Sequence, residues 1–390
     1  MNSFIFQNPT KLIFGKDTIS KLTNEIPLDK KIMVTFGRSS VKHNGVYDQV
    51  KEALKAHNYI EFWGIEPNPT VETLRQAIKL GKENHIDFLL AVGGGSVIDG
   101  TKLISVGIPY EGDAWDILIE ASSANNRTPK ILDRIKAIPF ASVLTIPATG
   151  SEMNRGAVIS NRTTKEKLSF YSNYPVFSIL DPSTTFSLPN FQIACGMADT
   201  FAHILEQYLT VTTNSPIMDR WCEGLLKTLT EIAPFVQKEP RDYDIMSTFM
   251  LTATLALNGF IAMGSTTDWC THMIGHEVTA LTGLTHGQTL AIIFPATISV
   301  LREQKKLKIL QYAHRVFGIN QKDDSAIDMA ISATESFFRS LGLATRLSEL
   351  EVDKSIIDEI EKRFTERNLQ IGENHNVNGT IAKKILLSCY

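Results

Sequence analysis

Residues 87–106, DFLLAVGGGSVIDGTKLISV, decide the fold class. The run from Phe88 to Val92 is continuously apolar, the pattern of a strand buried on both faces of a parallel sheet. It runs into Gly93-Gly94-Gly95, and residues 96–106 follow with helical spacing. Glycines let a backbone approach a ligand closely, and a helix N-terminus offers free N–H groups and a partial positive charge. A strand, a glycine turn and a helix in that order suit a pyrophosphate. The spacing is not G-x-G-x-x-G, because position 98 is Ile98 and the next glycine is Gly100. Many strand-to-helix turns also need one or two glycines for packing alone, so both readings stay open here.

The surrounding chain alternates in the same way. Residues 11–14, 31–36 and 59–64 are short β-branched or aromatic runs, while 46–56 and 71–84 have helical spacing. Residues 141–147 and 175–180 read as further strands. Alternating strands and helices with continuous apolar strands imply a parallel sheet covered on both faces. Residues 110–139, with Asp113, Asn125, Asn126 and Pro129, read as a long surface excursion holding a short amphipathic piece at 115–119. After Leu188-Pro189 the character changes. Helical patterns follow at 196–210, 218–237 and 244–262 and continue to the C-terminus, with no convincing strand. The expected organisation is a Rossmann-like α/β domain over residues 1–185, followed by an all-helical domain over residues 186–390.

A second turn informs the nucleotide reading. Phe36-Gly37-Arg38-Ser39-Ser40-Val41-Lys42 follows a strand. NAD sites commonly place an acid after such a strand, to bond the ribose hydroxyl. Here Arg38, Ser39, Ser40 and Lys42 supply donors and positive charge, which suit a 2′-phosphate. The plainer reading is a solvated basic turn. If a dinucleotide binds, NADP is favoured over NAD.

The helical half holds a different signal. Residues 271–286 read THMIGHEVTALTGLTH and carry three of the nine histidines. His272 and His276 are four apart, which puts them on one helix face, about 6 Å from each other. His286 comes after Gly283, a residue that can end the helix and turn the chain back. Upstream, Asp199 and His203 repeat the spacing of four. Carboxylate and imidazole together suit a divalent metal. Each histidine taken alone reads as a core residue bonded to a carbonyl, and Asp199 as an ordinary helix acid. The protease signature H-E-x-x-H is absent, since Glu277 follows His276 but position 280 is Ala280.

Bulk properties narrow the function classes. A chain of 390 residues favours two domains. At 43% hydrophobic and 21% charged, with net charge −3, it gives no electrostatic reason to expect nucleic acid or an anionic membrane. Cys195, Cys222, Cys270 and Cys389 are widely spaced and form no CxxC, as expected in a reducing cytoplasm. No signal peptide or membrane span is expected from the sequence.

Together these residues resemble the iron-containing (group III) alcohol dehydrogenases, and among them the NADPH-dependent butanol dehydrogenases and broad-specificity aldehyde reductases. The resemblance covers nearly the whole chain. It is carried by Pro9-Thr10-Lys11-Leu12-Ile13-Phe14-Gly15, by Gly93-Gly94-Gly95-Ser96-Val97-Ile98-Asp99 and by Ile146-Pro147-Ala148-Thr149-Gly150-Ser151-Glu152. Asp199-x3-His203, Gly275-His276-Glu277 and His286-Gly287 complete it. It implies the dehydroquinate synthase-like fold of that family and a reversible reduction of aldehydes to primary alcohols. It implies Asp199, His203, His272 and His286 as ligands of one Fe2+ or Zn2+ ion, with His276 near the substrate. It implies NADP(H) held by Gly37, Arg38, Ser39, Ser40, Gly94, Gly95, Ser96, Asp99, Thr145, Thr149, Asn154 and Lys167. A homodimer, with the N-terminal strand region in its interface, is implied as well. Two features depart from the family. Close relatives often have a glycine-rich turn at Arg38-Ser39-Ser40, and the 110–139 excursion is long. The alternatives on the same fold are a glycerol-type dehydrogenase and a dehydroquinate-synthase-like lyase. The residues around 272–286 include no Lys or Arg for a phosphorylated substrate, which argues against the lyase. A non-enzymatic metal-binding protein would leave the glycine triplet and the basic turn without purpose.

Overall fold

The computed structural model describes residues 1–123, 127–210 and 215–390. Asn125 and Asn126 of the excursion lie outside the described residues. The chain forms two compact units. One holds Gln7–Leu188 and Pro240–Thr254, and the other holds Met1–Phe6, Pro189–Glu239 and Leu255–Tyr390. The main division therefore falls at residue 188, and two short pieces cross it. The second of these belongs with the sheet because Met250 enters its core and Thr254 Oγ1 donates to Glu152 Oε1 at 2.5 Å.

The first unit is built on strands β1 (Lys11–Phe14), β2 (Lys31–Phe36), β3 (Asn58–Phe62), β4 (Phe88–Gly93), β5 (Phe140–Leu144) and β8 (Phe177–Leu180). They form a six-stranded sheet in the order β1-β8-β5-β4-β2-β3, every pair parallel. Helices α1 (Leu22–Glu25), α2 (Val46–Ala53), α3 (Val71–Glu83) and α4 (Gly95–Gly107) connect the first strands. Period-two geometry sends successive side chains of a strand to opposite faces. In β4, Leu89 and Ala91 enter one core with Leu74 and Ile104, while Phe88, Leu90 and Val92 enter the other with Val50 and Leu22. This is why the strand is apolar at every position.

The chain runs from β2 out to β3, then returns past β2 to β4. The sheet order therefore reverses between β2 and β4, the place where open α/β sheets bind ligands at their strand C-termini. Phe36 pairs with Val92 across this point. The basic turn after β2 and the glycine turn after β4 are thereby neighbours.

Two parts of this unit differ from expectation. Residues 156–171 contain an antiparallel hairpin, β6 (Gly156–Asn161) with β7 (Glu166–Tyr171). Asn161 Oδ1 accepts from the N–H groups of Thr163 and Thr164 and closes its turn. The 110–139 excursion is not wholly a surface feature. Helix α5 (Ala114–Ser123) buries Trp115, Ile117, Leu118 and Ala121 in the same core as β4.

The second unit contains helices α6 (Asn190–Tyr208), α7 (Pro216–Ile232), α9 (Cys270–Thr282), α10 (His286–Val300), α11 (Arg302–Phe317), α12 (Asp324–Ser340), α13 (Ser355–Glu366) and α14 (Gly379–Ser388). Helix α8 (Tyr243–Ala256) belongs mostly to the sheet-bearing unit. In α6 every residue from Ile193 to Tyr208 is buried, as expected of a helix surrounded by others. Helix α10 starts directly against it. A Cβ added to Gly287 would stand 2.2 Å from the carbonyl oxygen of Cys195. We expect Gly287→Ala to lower stability by about 1–3 kcal/mol, at the upper end because the obstacle is backbone. Chemical denaturation checks this, and an unchanged midpoint would mean that the two helices are not in contact there.

Candidate functional sites

Helix α6 carries Asp199 and His203 one turn apart, both buried. Helix α9 carries His272 and His276, also buried. It ends at Gly283, whose φ of 75° turns the chain back as its sequence position suggests. Thr285 then takes the extended position before α10, so His286 is that helix's first residue. Three helices thus converge on one carboxylate. Asp199 Oδ1 lies 3.6 Å from His203 Nε2, 3.7 Å from His272 Nε2 and 3.8 Å from His286 Nε2. Neither Asp199 Oδ1 nor His272 Nε2 has a hydrogen-bond partner among the described residues. The ring of His276 lies 5.1 Å from that of His286, centroid to centroid.

This donor set fits a divalent ion. Ligand atoms about 2.1 Å from one ion at tetrahedral angles lie about 3.4 Å apart. The spacings here are slightly wider, and the unsatisfied buried oxygen is the atom an ion would contact. Asp199, His272 and His286 offer ligand atoms all within 4.8 Å of one another.

Charges in the cluster reinforce one another. Burial alone would raise the Asp199 carboxyl, but the imidazoles of His203, His286 and His272 hold it well below the usual carboxylate range. Burial alone would lower His272, but the carboxylates of Glu206 and Asp199 bring it up to about 9. Glu206 escapes notice in the sequence, although it lies three residues after His203 on the same helix. Its Oε2 is hydrogen-bonded to His272 Nδ1. Glu277, in contrast, is held by Arg363 at 3.1 Å and Arg367 at 2.7 Å.

Of the apolar residues preceding α9, Ile261 is core and Phe260 stacks on Trp221 at 4.2 Å. Trp269 meets the cluster, its ring 5.3 Å from that of His272.

On the sheet-bearing unit, the glycine triplet is fixed by close packing. A Cβ on Gly93 would meet Val97 at 2.5 Å, one on Gly94 would meet Ile146 at 2.9 Å, and one on Gly95 would meet Thr149 Oγ1 at 2.3 Å. Gly94 precedes α4, and Ser96, half-buried, lies in its first turn. Helix N–H groups in that turn have no partner within the helix and are available to an anion. Thr145 is buried and donates its N–H to the Gly93 carbonyl at 3.0 Å.

Asp99 accepts from Ser151 Oγ at 2.6 Å and from the Val158 N–H at 2.9 Å. Asn154 shapes its own loop, donating to the carbonyls of Thr149 and Gly150 and accepting from the Gly156 N–H. Lys167 Nζ donates to Asn68 at 2.9 Å. Lys102, not singled out in the sequence, is fully buried and donates to Ser151, Asn154 and Gly156. Burial pulls its ammonium down to about 8. After β2, Gly37 is half-buried and Arg38, Ser39 and Ser40 are exposed. Lys42 Nζ stands 4.0 Å from the centre of the Trp63 ring.

Two family models match the chain, iron-containing alcohol dehydrogenase over residues 9–182 and the C-terminal region of the Fe-containing alcohol dehydrogenase family over residues 193–388. The NADPH-dependent aldehyde reductase YqhD of Escherichia coli is 47% identical to it, over 99% of both chains. A probable NADH-dependent butanol dehydrogenase of Bacillus subtilis is 42% identical, over 92% of both. The crystal structure of E. coli YqhD superposes with a TM-score of 0.95, covering 100% of this chain and 99% of that one. This chain belongs to the iron-containing alcohol dehydrogenase family and is an oxidoreductase of alcohols and aldehydes.

The raised His272 sets a pH test. In metal-free protein its folded value of about 9 exceeds the ordinary value of about 6.5. The stability it contributes is complete below about 6.5 and lost as pH rises through about 9. The lowered Asp199 adds nothing in that window, since it is ionised throughout. We expect the Tm of metal-free protein to fall from pH 6.5 to about 8, below the range in which the lowered Lys102 offsets the loss, and saturating divalent metal to reverse the fall, because ligation takes neutral imidazole. A Tm flat over this range without metal would show that His272 carries no extra proton.

Proposed function

We propose that this protein reduces aldehydes to primary alcohols, reversibly, with NADPH as hydride donor and one divalent ion, Fe2+ or Zn2+, at the histidine cluster. The observation that carries the reading is the buried Asp199 oxygen ringed by three imidazole nitrogens at 3.6–3.8 Å. Asp199, His203, His272 and His286 are the ligands in this reading. When bound, the ion supplies Lewis acidity to a carbonyl oxygen and the nicotinamide supplies hydride. The chain's own contribution is to hold three neutral imidazoles and one carboxylate at fixed positions in a buried setting, where electrostatic effects are strong. His276 then passes a proton to the oxygen of the reduced substrate.

We assign residues 1–185 as the nucleotide-binding domain and 186–390 as the metal-binding domain. Gly94, Gly95 and Ser96 hold the pyrophosphate at the start of α4. Thr145, Thr149, Asn154, Asp99 and Lys167 line the cofactor site. Gly37, Arg38, Ser39 and Ser40 receive the adenosine end. The absence of an acid in this exposed turn supports NADPH over NADH, as does the coenzyme named for the E. coli relative. We read the protein as a cytoplasmic homodimer. Phe4, Ile5 and Phe6 are exposed in the single chain, which supports an interface at the N-terminal region. Among the described residues, no helix is long and apolar enough to cross a membrane.

Two experiments test this. Protein stripped by chelator, then reloaded with Fe2+ or Zn2+, is assayed with butanal by NADPH oxidation at about 340 nm, with NADH in parallel. We expect activity to be lost on stripping, restored by metal, and higher in kcat/KM with NADPH. Full metal loading without turnover on either coenzyme would refute the oxidoreductase mechanism. His276→Ala should keep its metal and lose at least about tenfold in kcat, with an altered pH profile. Full rate across pH would remove His276 from the proton path.

A further inference from the structure

We propose that Glu206 is a positioning residue for the metal centre. Its carboxylate stands behind His272, fixes which imidazole nitrogen faces the ion, and strengthens that ligand's hold. The inference rests on the metal reading above and concerns a residue outside the ligand set.

Glu206 follows Asp199 by seven residues and His203 by three, so all three share one face of α6. It is 2% exposed. Its Oε2 bonds His272 Nδ1, and its Oε1 accepts the backbone N–H of Thr271 at 2.7 Å. The His272 N–H also points to Oε2 at 3.4 Å. Both oxygens are thus tied to the first turn of α9, the turn that carries His272. A carboxylate accepts, so Nδ1 bears a proton whether the ring is charged or neutral, and Nε2 is the nitrogen left facing Asp199 Oδ1 at 3.7 Å. The nitrogen that would bind the ion, once it gives up its own proton, is therefore selected before any ion arrives.

A neighbouring carboxylate shows what is particular about Glu206. Asp268 is also buried beside the start of α9, where its Oδ1 accepts the Cys270 N–H at 2.8 Å. Its charge is already balanced by Lys305, whose Nζ lies 2.6 Å from Oδ2. Lys305 lies 3.1 Å from Glu373 as well. Among the described residues no Lys or Arg pairs with Glu206. Among the described residues the His272 imidazole is its one cationic partner, and that charge is given up when the histidine binds metal. Asp199 and Glu206 together then carry two negative charges against a divalent ion, which leaves a buried centre near neutrality. Burying charge is costly unless it is paired, so each partner tightens the other.

The test measures metal affinity, with Co2+ as probe, by competition against a chelator and by its visible absorption. Glu206→Gln keeps the size and one acceptor but removes the charge, and should weaken Co2+ binding about 10–100-fold and shift the absorption bands. Glu206→Asp keeps the charge and should retain more affinity than Glu206→Gln. Glu223→Gln, which removes a buried carboxylate paired with Arg220 and Arg315, is the structural control. It should lower the denaturation midpoint and leave Co2+ affinity unchanged. Affinity unchanged in Glu206→Gln, the reverse order of the two Glu206 variants, or an equal loss in Glu223→Gln would each overturn the proposal. Wild-type protein that binds no Co2+ would instead overturn the metal reading itself.

Discussion

A buried carboxylate oxygen with no hydrogen-bond partner among the described residues is the constraint around which the helical unit is arranged. Asp199 is 3% exposed, and removing an ionised carboxylate from water costs several kcal/mol unless opposite charge is brought to it. The fold brings imidazoles from three helices. Each depends on a local feature elsewhere: His203 on the pitch of α6, His272 on the anchored start of α9, His286 on the reversal at Gly283. The close approach at Gly287 brings the last of these to the first. A side chain there would meet the backbone of Cys195, four residues before Asp199. Helix contact and the geometry of the histidine cluster are in this sense the same fact.

The sheet-bearing unit solves a different problem. The glycine turn that we propose faces the cofactor must present backbone, so it must be narrow, and its narrowness has to be maintained by its neighbours. Ile146 and Thr149 occupy the space that side chains on Gly94 and Gly95 would take. The loop that supplies Thr149 is held from beneath by the Lys102 ammonium, which bonds Ser151, Asn154 and Gly156. Asp99 holds the same loop through Ser151. Residues expected to meet a cofactor therefore also hold one another, and the packing and ligand readings of the glycine triplet are not in competition.

Much of this was legible in the chain. A strand apolar at every position announces a sheet covered on both faces, and β4 has that form. Spacings of four announce a shared helix face, and Asp199 with His203 keeps it. Gly283 ends α9 because a positive φ suits glycine. What escaped depended on partners distant in sequence. Glu206 has the right spacing, yet a glutamate on a helix is ordinarily solvated, and only the arrival of α9's first turn gives it a role. Lys102 reads as one of several polar residues in α4 until oxygens from residues 151–156 converge on it. The β6–β7 hairpin was missed because its turn is Arg-Thr-Thr-Lys, without glycine, and its second strand opens with two charged residues. Helix α5 looked like surface because its flanks are polar, although its apolar face joins the main core.

The relatives add one more step. Two proteins at 47% and 42% identity carry different coenzymes in their names, one NADPH and one NADH. Coenzyme choice therefore does not follow from the family frame and must lie in residues free to change within it. Buried groups are poor places for such change. Altering Asp199, Glu206 or Gly287 disturbs charge balance or helix contact, and altering Gly95 disturbs the Thr149 loop. Arg38, Ser39 and Ser40 are exposed, at the end of a strand whose own side chains are committed to two cores. Nothing in the packing of the sheet depends on them. In our reading this is why the turn after β2 can be basic: the adenosine end is recognised on a part of the fold that carries no structural load, while the chemistry is confined to groups that cannot move independently of one another.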